Sequence, residues 1–557
     1  MSQTYDEYAP VMEDRSTWTL PHVLRMRAET HGDAVYLDVP GEGMRLTFAE
    51  VHDLAVRIGS GLLRRGHEQG DRVVVMLPNC AEYVLTWLGT GVAGMAEVPI
   101  NTAYRGAFFE HQVRTVAPSA AVVSPDLAER FVESRDACGM VSRIYVVGAD
   151  QAEVAAAMAS LAGAGYDAEP FDALVRSEPG PLPKVRPHHL ASVFFTSGTT
   201  GLSKGVMMPH AHMVFEADLC VSLTRLTDAD TYLSVGPLFH GNAQFLAAYP
   251  ALLAGARFVL RERFSASRWL TWVRESRATV TNFVGVMMDF VWKQPPTPED
   301  PDNELRCIFA APTASSIVAA FRERFGVEAF VEVFGLTETC MPIMSPYGVE
   351  RPPGAAGKAV RGWFDVRLVD PETDEEVPTG SVGELVVRGT YPFTMSTGYF
   401  GMPERTVEAL RNCWFHTGDG LRRDEEGWFY FVDRLKDALR RRGENISSYE
   451  VEQAVLGHPG ITECAVIAVP ADHEAGEDEV MAFIVGSEGE QLDPADVWKY
   501  CDGQLPYFAV PRYLRFVDAL PKTPSEKVQK AELRQAGVDA ATFDRIAVLG
   551  SMPDRSR

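Results

Sequence analysis

The chain has 557 residues, a formal net charge of −24, 46% hydrophobic residues and 23% charged residues. That length exceeds a single core and implies roughly three or four folding units. The composition is that of a soluble globular protein. Its acidic balance excludes sequence-independent nucleic-acid binding and attachment to anionic membranes.

The first residues, Met1-Ser2-Gln3-Thr4-Tyr5-Asp6-Glu7-Tyr8, carry no basic and apolar signal pattern, so a secretory leader is not expected. Thr47-Phe48-Ala49-Glu50 is a capping box that opens a helix. Val51, Leu54, Ala55, Ile58 and Leu62 repeat at helical spacing, and Gly66 ends it. Asp71-Arg72-Val73-Val74-Val75-Met76-Leu77 then reads as a buried strand. Further apolar runs follow at 121–123, 144–147, 193–195, 231–235, 257–260 and 281–284, separated by helical stretches. This alternation predicts parallel sheets with helices on both faces. The most apolar stretches, 84–96 and 245–256, are too short to span a bilayer. Segments 180–187 and 295–301 are Pro-rich surface connections.

The eight cysteines are scattered without C-x-x-C spacing, which predicts free thiols and a cytoplasmic protein. His210 and His212 have no further partners at ligand spacing, so no metal is expected there.

The most informative stretch is Thr196-Ser197-Gly198-Thr199-Thr200-Gly201-Leu202-Ser203-Lys204-Gly205. It follows the apolar Ala191-Ser192-Val193-Phe194-Phe195. A strand running into such a loop lets backbone N–H groups converge on an anion, while hydroxyls add donors and the lysine adds charge. The ligand this pattern predicts is a nucleotide polyphosphate. Lys204 precedes Gly205 rather than Ser or Thr, so the loop is not a Walker A loop. It also contains G-x-S-x-G around Ser203, the pattern of a serine-hydrolase nucleophile elbow, although Ser203 lies deep in the loop.

Beyond Glu426-Gly427-Trp428-Phe429-Tyr430-Phe431-Val432, a strand that closes one body, the chain restarts with a helix from Ser448 to about Gly457. Strands at 463–469 and 480–485 and a helix at 494–504 make a small α+β unit.

The loop resembles the phosphate-binding signature of the adenylate-forming superfamily, which includes acyl-CoA synthetases, luciferases and peptide-synthetase adenylation domains. Other segments resemble its signatures in the same order: Phe334-Gly335-Leu336-Thr337-Glu338, Gly383 to Gly389, His416-Thr417-Gly418-Asp419, Asp433-Arg434-Leu435-Lys436-Asp437, Arg442-Gly443-Glu444-Asn445-Ile446-Ser447 and Pro521 to Lys527. The form of residues 442–447 is similar to the crotonobetaine/carnitine–CoA ligase branch. The resemblance implies an α/β fold: a large N-terminal domain (1–433) of parallel-rich sheets flanked by helices plus a distorted barrel, a hinge (434–437), and a small mobile α+β C-terminal domain (438–557).

It also implies roles. Thr196 to Lys204, including Ser197, Gly198, Thr199, Thr200 and Gly201, would hold the triphosphate of ATP. Glu338 would ligate Mg²⁺, as a hard oxygen donor suits that ion. Ala311, Glu332, Phe334, Gly335 and Thr337 would surround the nucleotide, Asp419 would accept from the ribose diol, and Arg434 would hold ribose or the α-phosphate. Lys527 would stabilise charge in adenylation. The family usually has Gly before this lysine; here it is Glu526. Phe239, His240, Asn242, Val284, Gly285 and Ala310 would line the acyl pocket, with His240 gating the thiol. Lys436 would be the hinge. Gly443 would wall the pantetheine tunnel, and Arg440 beside Arg441 and Arg442 would attract coenzyme A phosphates. Asn445 stands where relatives often carry Arg or Gln.

The expected activity is ATP-dependent carboxylate–CoA ligation through an acyl-AMP. Its partners would be a small carboxylic acid, ATP and coenzyme A, with a second copy of the chain as a candidate partner. Three alternatives stand beside it: an enzyme of one half-reaction only, an adenylation enzyme loading a separate carrier protein, and a serine hydrolase using Ser203.

Overall fold

The computed structural model describes residues 2–196, 203–284, 287–311, 317–434, 438–441, 444–471, 478–487, 492–521, 528 and 530–553. The chain divides into two compact units. One comprises 1–101, 116–194 and 205–433; the other comprises 102–115, 195–204 and 434–557. Among the described residues no helix is long and apolar enough to cross a membrane.

The larger unit is built on three sheets of seven strands each. In the first, Arg72–Met76 lies between Ala96–Pro99 and Ala120–Val123, with parallel pairing continuing through Arg143–Val146 to Asp167–Pro170. Leu190–Thr196 joins beyond Ala96–Pro99, and Lys204–Pro209 forms the edge. The second sheet runs Ala329–Val331, Cys307–Ala311, Val280–Val284, Thr231–Ser234, Arg257–Leu260, Val35–Val39 and Met44–Thr47. Its pairs are parallel except the last. These strands are nearly all apolar because helices cover both faces.

The capping box is formed as its spacing predicts. The Glu50 N–H donates to Thr47 Oγ1 at 3.2 Å, and the Thr47 N–H donates to Glu50 Oε2 at 2.8 Å. The helix Phe48–Arg64 buries Val51, Ala55, Ile58 and Leu62.

The third sheet is antiparallel. Its order is Val333–Leu336, Cys340–Met344, Ala355–Ala359, Phe429–Arg434, Phe415–Arg423, Val382–Gly389 and Phe364–Val369. It stands where the resemblance places a barrel.

In the smaller unit Asp478–Gly486 lies between Ile461–Pro470, antiparallel, and Tyr513–Phe516, parallel. The helices Ser448–Leu456 and Pro494–Gln504 add Val451, Val455, Val497 and Trp498 to its core.

One irregular segment bears on the site. Residues Gln244–Ala248 form a π-helical turn before the helix Tyr249–Ala254, whose second residue is Pro250. Proline has no N–H to offer the preceding turn. The Leu246 carbonyl instead accepts from the Cys220 thiol at 3.2 Å. Gln244 donates through Nε2 to Oε2 of the Glu97 carboxyl group at 2.6 Å, and both are wholly buried. Burial pushes the Glu97 carboxyl up to about 8, against the smaller pull of Gln244 and Tyr83.

Folded Glu97 therefore keeps a proton that the unfolded chain releases. Its stabilising contribution is complete below about pH 4.5 and is lost as the pH rises to about 8. Glu97→Gln preserves shape and neutrality. The variant is expected to melt higher than the parent at pH 8, by an amount on the order of a few kcal/mol, and to match it near pH 5. Parallel melting curves from pH 5 to 8 would show that Glu97 is not the titrating group.

Candidate active site

Four adjacent parallel strands of the second sheet end on one side, and each leads into residues singled out above. Thr231–Ser234 leads to Phe239, His240 and Asn242. Val280–Val284 leads to Gly285. Cys307–Ala311 ends on Ala310 and Ala311. Ala329–Val331 leads to Glu332 and then Phe334. Register places Val284 beside Ala311 and Phe283 beside Ala310. A crevice outside the carboxyl ends of parallel strands is where open α/β sheets bind ligands.

The opposite ends are tied shut. Arg306 grips Asp230 through two nitrogens, at 2.9 and 2.7 Å, and Thr279 donates to the same carboxylate at 2.7 Å. Each of these residues directly precedes one of the strands.

Asn79, which the sequence reading did not single out, shapes the loop that carries His240. Its buried amide donates to the carbonyls of Gly236 and Arg261, at 2.7 and 2.9 Å, and its oxygen accepts from the Leu238 N–H at 2.8 Å. His240 then caps a short helix, with its ring 4.9 Å from that of Phe239. Asn242 Oδ1 accepts from Asn282 Nδ2 at 2.5 Å.

Glu332 ion-pairs with Arg351, and both side chains are largely buried. Phe334 faces Phe431 across 6.4 Å at an interplanar angle of 24°, and Phe431 is half-exposed. Gly335 cannot carry a side chain here, because a Cβ would overlap the Cys340 carbonyl across the hairpin. Gly335→Ala is expected to push the two strands apart at a cost of about 1–3 kcal/mol and to weaken ATP binding. A normal melting temperature with a normal KM for ATP would contradict this account.

Thr337 and Glu338 occupy the hairpin tip, closed by Thr339 N–H to the Leu336 carbonyl at 3.0 Å. Glu338 is nonetheless only 8% exposed. The Tyr399 hydroxyl donates to its Oε1 at 2.9 Å, and the Ser396 N–H donates to its carbonyl at 2.9 Å. The Tyr399 segment in turn pairs with the strand Lys204–Pro209. The Phe400 N–H reaches the Gly205 carbonyl at 2.7 Å, and the Met207 N–H reaches the Gly398 carbonyl at 2.9 Å. A carboxylate at a hairpin tip is thus braced to the strand Lys204–Pro209 by one tyrosine that sequence reasoning missed.

Asp419 is 3% exposed on Phe415–Arg423. The register shifts between Glu384 and Val386 opposite residues 416–420, which makes a local bulge. Gly418 turns through it at φ +73°, a conformation that favours glycine. The buried Glu384 carboxylate accepts from the Gly418 N–H at 2.9 Å and lies 3.0 Å from His416 Nδ1. Two motifs read separately in the sequence are one structure, joined by Glu384.

Within the smaller unit, Ser203 is buried. Its N–H donates to Glu450 and its carbonyl lies 2.8 Å from His111 Nε2. The hydrolase alternative fits poorly. Ser203 runs into the strand Lys204–Pro209 instead of a helix, and no histidine among the described residues bonds its hydroxyl.

The basic run at 440–442 needs correction. Arg441 is 1% exposed, pairs with Glu479 at 2.6 Å and donates to the carbonyls of Phe508 and Val510, so it is committed to the core. Ser197, Gly198, Thr199, Thr200, Gly201, Gly285, Lys436, Gly443 and Lys527 lie outside the described residues. So do the side chains of Val284, Ala311, Arg434, Arg440 and Asn445.

A family profile described as AMP-binding enzyme matches residues 24–400, and one described as AMP-binding enzyme C-terminal domain matches residues 450–527. The chain belongs to this family of adenylate-forming enzymes, and its class is acid–thiol ligase. It is 30% identical over 540 residues to a crotonobetaine/carnitine–CoA ligase of Salmonella arizonae, an alignment covering 96% of this chain and 98% of that relative. Among solved structures it resembles ATP-bound MatB from Rhodopseudomonas palustris, with 28% identity, a TM-score of 0.65, and 93% and 99% of the two chains covered. It shares its fold with o-succinylbenzoate CoA synthetase (MenE) from Bacillus subtilis, at 22% identity, a TM-score of 0.76 and coverage of 94% and 99%.

Proposed function

We propose that this ligase runs both half-reactions on one carboxylic acid. The acid's oxygen first attacks the α-phosphorus of ATP, giving acyl-AMP and pyrophosphate. The sulfur of coenzyme A then attacks the acyl carbon, and AMP leaves with the electrons of the broken C–O bond. The observation that carries the reading is the brace from Glu338 through Tyr399 to the strand after residues 196–204.

The donor chemistry at Glu338 fits Mg²⁺: a buried carboxylate held in one orientation by the Tyr399 hydroxyl, offering the hard oxygen donor that this ion takes. Bound there, the ion would offset negative charge on the triphosphate. Lys204 and the loop N–H groups would hold the outer phosphates, Asp419 would accept from the ribose, and the Phe334 ring would lie against adenine. Phe239, His240, Asn242, Val284, Gly285 and Ala310 would line the acyl pocket. In this reading 1–433 bind the nucleotide and acid, and 438–557 move about Lys436 between the two steps. Lys527 would be presented first and Gly443 second, with Arg440 and Asn445 toward coenzyme A.

A panel of carboxylic acids assayed separately for pyrophosphate and for CoA thioester tests the proposal. The expected result is one class of acid that supports both products in equal amounts. Pyrophosphate without thioester would point to an adenylation enzyme with another acceptor.

One observation favours a second reading, consumption of a supplied acyl-AMP: Glu526 stands beside Lys527. A carboxylate ~4–7 Å away, partly shielded, biases an ammonium by roughly 1 kcal/mol, several-fold in rate. Glu526→Gly is expected to keep or raise the adenylation rate. Adenylation that appears only in this variant would establish the second reading.

A further inference from the structure

The helix His210–Thr224 is buried along almost its whole length, yet two ionisable side chains, His212 and Glu216, share one of its faces. A third ligand-type group meets them there. Cys340, which begins the strand Cys340–Met344, lies 128 residues along the chain from His212. One imidazole nitrogen, one carboxylate oxygen and the thiol sulfur all lie within 4.8 Å of one another. His212 Nε2 and Glu216 Oε2 are 3.8 Å apart, too far for a hydrogen bond.

The three side chains are 0%, 7% and 1% exposed. Neither ring nitrogen of His212 nor Oε2 of Glu216 has a hydrogen-bond partner among the described residues. The Met395 backbone lies near the ring but outside hydrogen-bond geometry. The Cys340 thiol points its proton at the Thr394 carbonyl, 3.3 Å away, and lies 3.8 Å from the His212 carbonyl.

Each unmet buried polar group costs about 1–3 kcal/mol. A single proton serves at most two of these atoms. A divalent cation serves all three. Nitrogen and sulfur donors exclude Mg²⁺ and Ca²⁺, which take oxygen, whereas a mixed imidazole, carboxylate and thiolate set suits zinc and its neighbours. Tetrahedral bonds of about 2.0–2.3 Å place ligand atoms about 3.3–3.6 Å apart, so closing the site needs shifts of about 1 Å.

We propose that His212, Glu216 and Cys340 form a transition-metal site of zinc type, separate from the Glu338 site. Binding exchanges the Cys340 S–H bond for a metal–sulfur bond and releases the proton to solvent. The ion ties the helix that follows Lys204–Pro209 to the hairpin that carries Glu338, and so acts as an internal brace.

The test is metal content and not activity. Full-length protein grown with equal supplements of zinc, cobalt, nickel, copper, iron and manganese is gel-filtered and analysed by elemental mass spectrometry. The expected result is about one equivalent of a zinc-type metal per chain, falling to about a tenth or less in Glu216→Gln and Cys340→Ala. Cobalt(II) added to metal-free protein is expected to give a thiolate-to-cobalt charge-transfer band that Cys340→Ala loses and Cys413→Ala, at an exposed thiol, keeps. Melting curves identify any variant that fails to fold, and the near-isosteric Glu216→Gln decides if Cys340→Ala does. Folded parent protein with no bound transition metal and no cobalt band overturns the site and makes the trio a neutral, water-filled or dry cluster. Metal content unchanged in both folded variants overturns it equally.

Discussion

Lys527→Ala is expected to abolish adenylation, lowering pyrophosphate release from ATP and acid by ~10²-fold or more while leaving thioester formation from a synthetic acyl-AMP within a few-fold of the parent. The size follows from the work assigned to the residue. An ammonium at the developing charge on the carboxylate and α-phosphate acts in the transition state of one step only, and the loss of one such preorganised donor costs about 10²–10³ in rate. In the second step the phosphorus–oxygen bond is already made, so the lysine has no charge to stabilise. The split between the half-reactions is therefore the diagnostic quantity. If both rates fall together in a variant with a normal melting curve, Lys527 holds structure and the assignment fails.

Glu338→Gln is expected to lower adenylation by about 10²–10³-fold and to move the Mg²⁺ activation curve to at least about tenfold higher concentration. The amide keeps the volume and can still accept from the Tyr399 hydroxyl, so the hairpin tip should stay folded. What it loses is the negative charge that a hard cation requires. Tyr399→Phe removes only a charge-assisted hydrogen bond, worth about 1.5–3 kcal/mol, and should produce the smaller effect by loosening the carboxylate. Thioester formation from a supplied acyl-AMP should be nearly unchanged in both variants, because the outer phosphates have left by then. An unshifted Mg²⁺ curve in Glu338→Gln would place the metal ligand elsewhere in the chain.

Much of the architecture could be read from neighbouring residues. The Thr47–Glu50 capping box, the helix that follows it and the apolar strands at 72–76, 120–123, 143–146, 231–234, 257–260 and 280–284 all formed where spacing predicts them. Each depends on local periodicity: a helix returns to the same face every three or four residues, and a strand buried on both faces is apolar throughout. The order of the family's motifs was equally legible, because each motif is a short run whose residue types reflect local turn and ligand chemistry.

Of the antiparallel sheet between 333 and 434, the sequence marked the strand at 426–432 but not how the others pair. Its decisive feature is a register shift at Glu384 that only the partner strand defines. The same reason hid the residues that hold the site in shape. Asn79 reaches the loop before His240, Tyr399 reaches Glu338, and Cys220 fills in for the N–H missing at Pro250. No spacing rule connects such pairs.

Arg441 shows the converse. Beside two other arginines it looks like part of a solvated patch, but its strand turns it toward Glu479 and the carbonyls of Phe508 and Val510. His212 and Glu216 lie one turn apart on a helix, a local spacing, and the fold brings only Cys340 to them from a distant part of the chain. The sequence by itself determined which segments become helix or strand and which chemistry-bearing residues lie on loops, because both are decided by a residue's nearest neighbours. Tertiary structure alone decided which polar groups face one another. A buried donor or charge is stable only opposite a complementary group, and that group comes from whatever part of the chain the packing brings within about 3 Å.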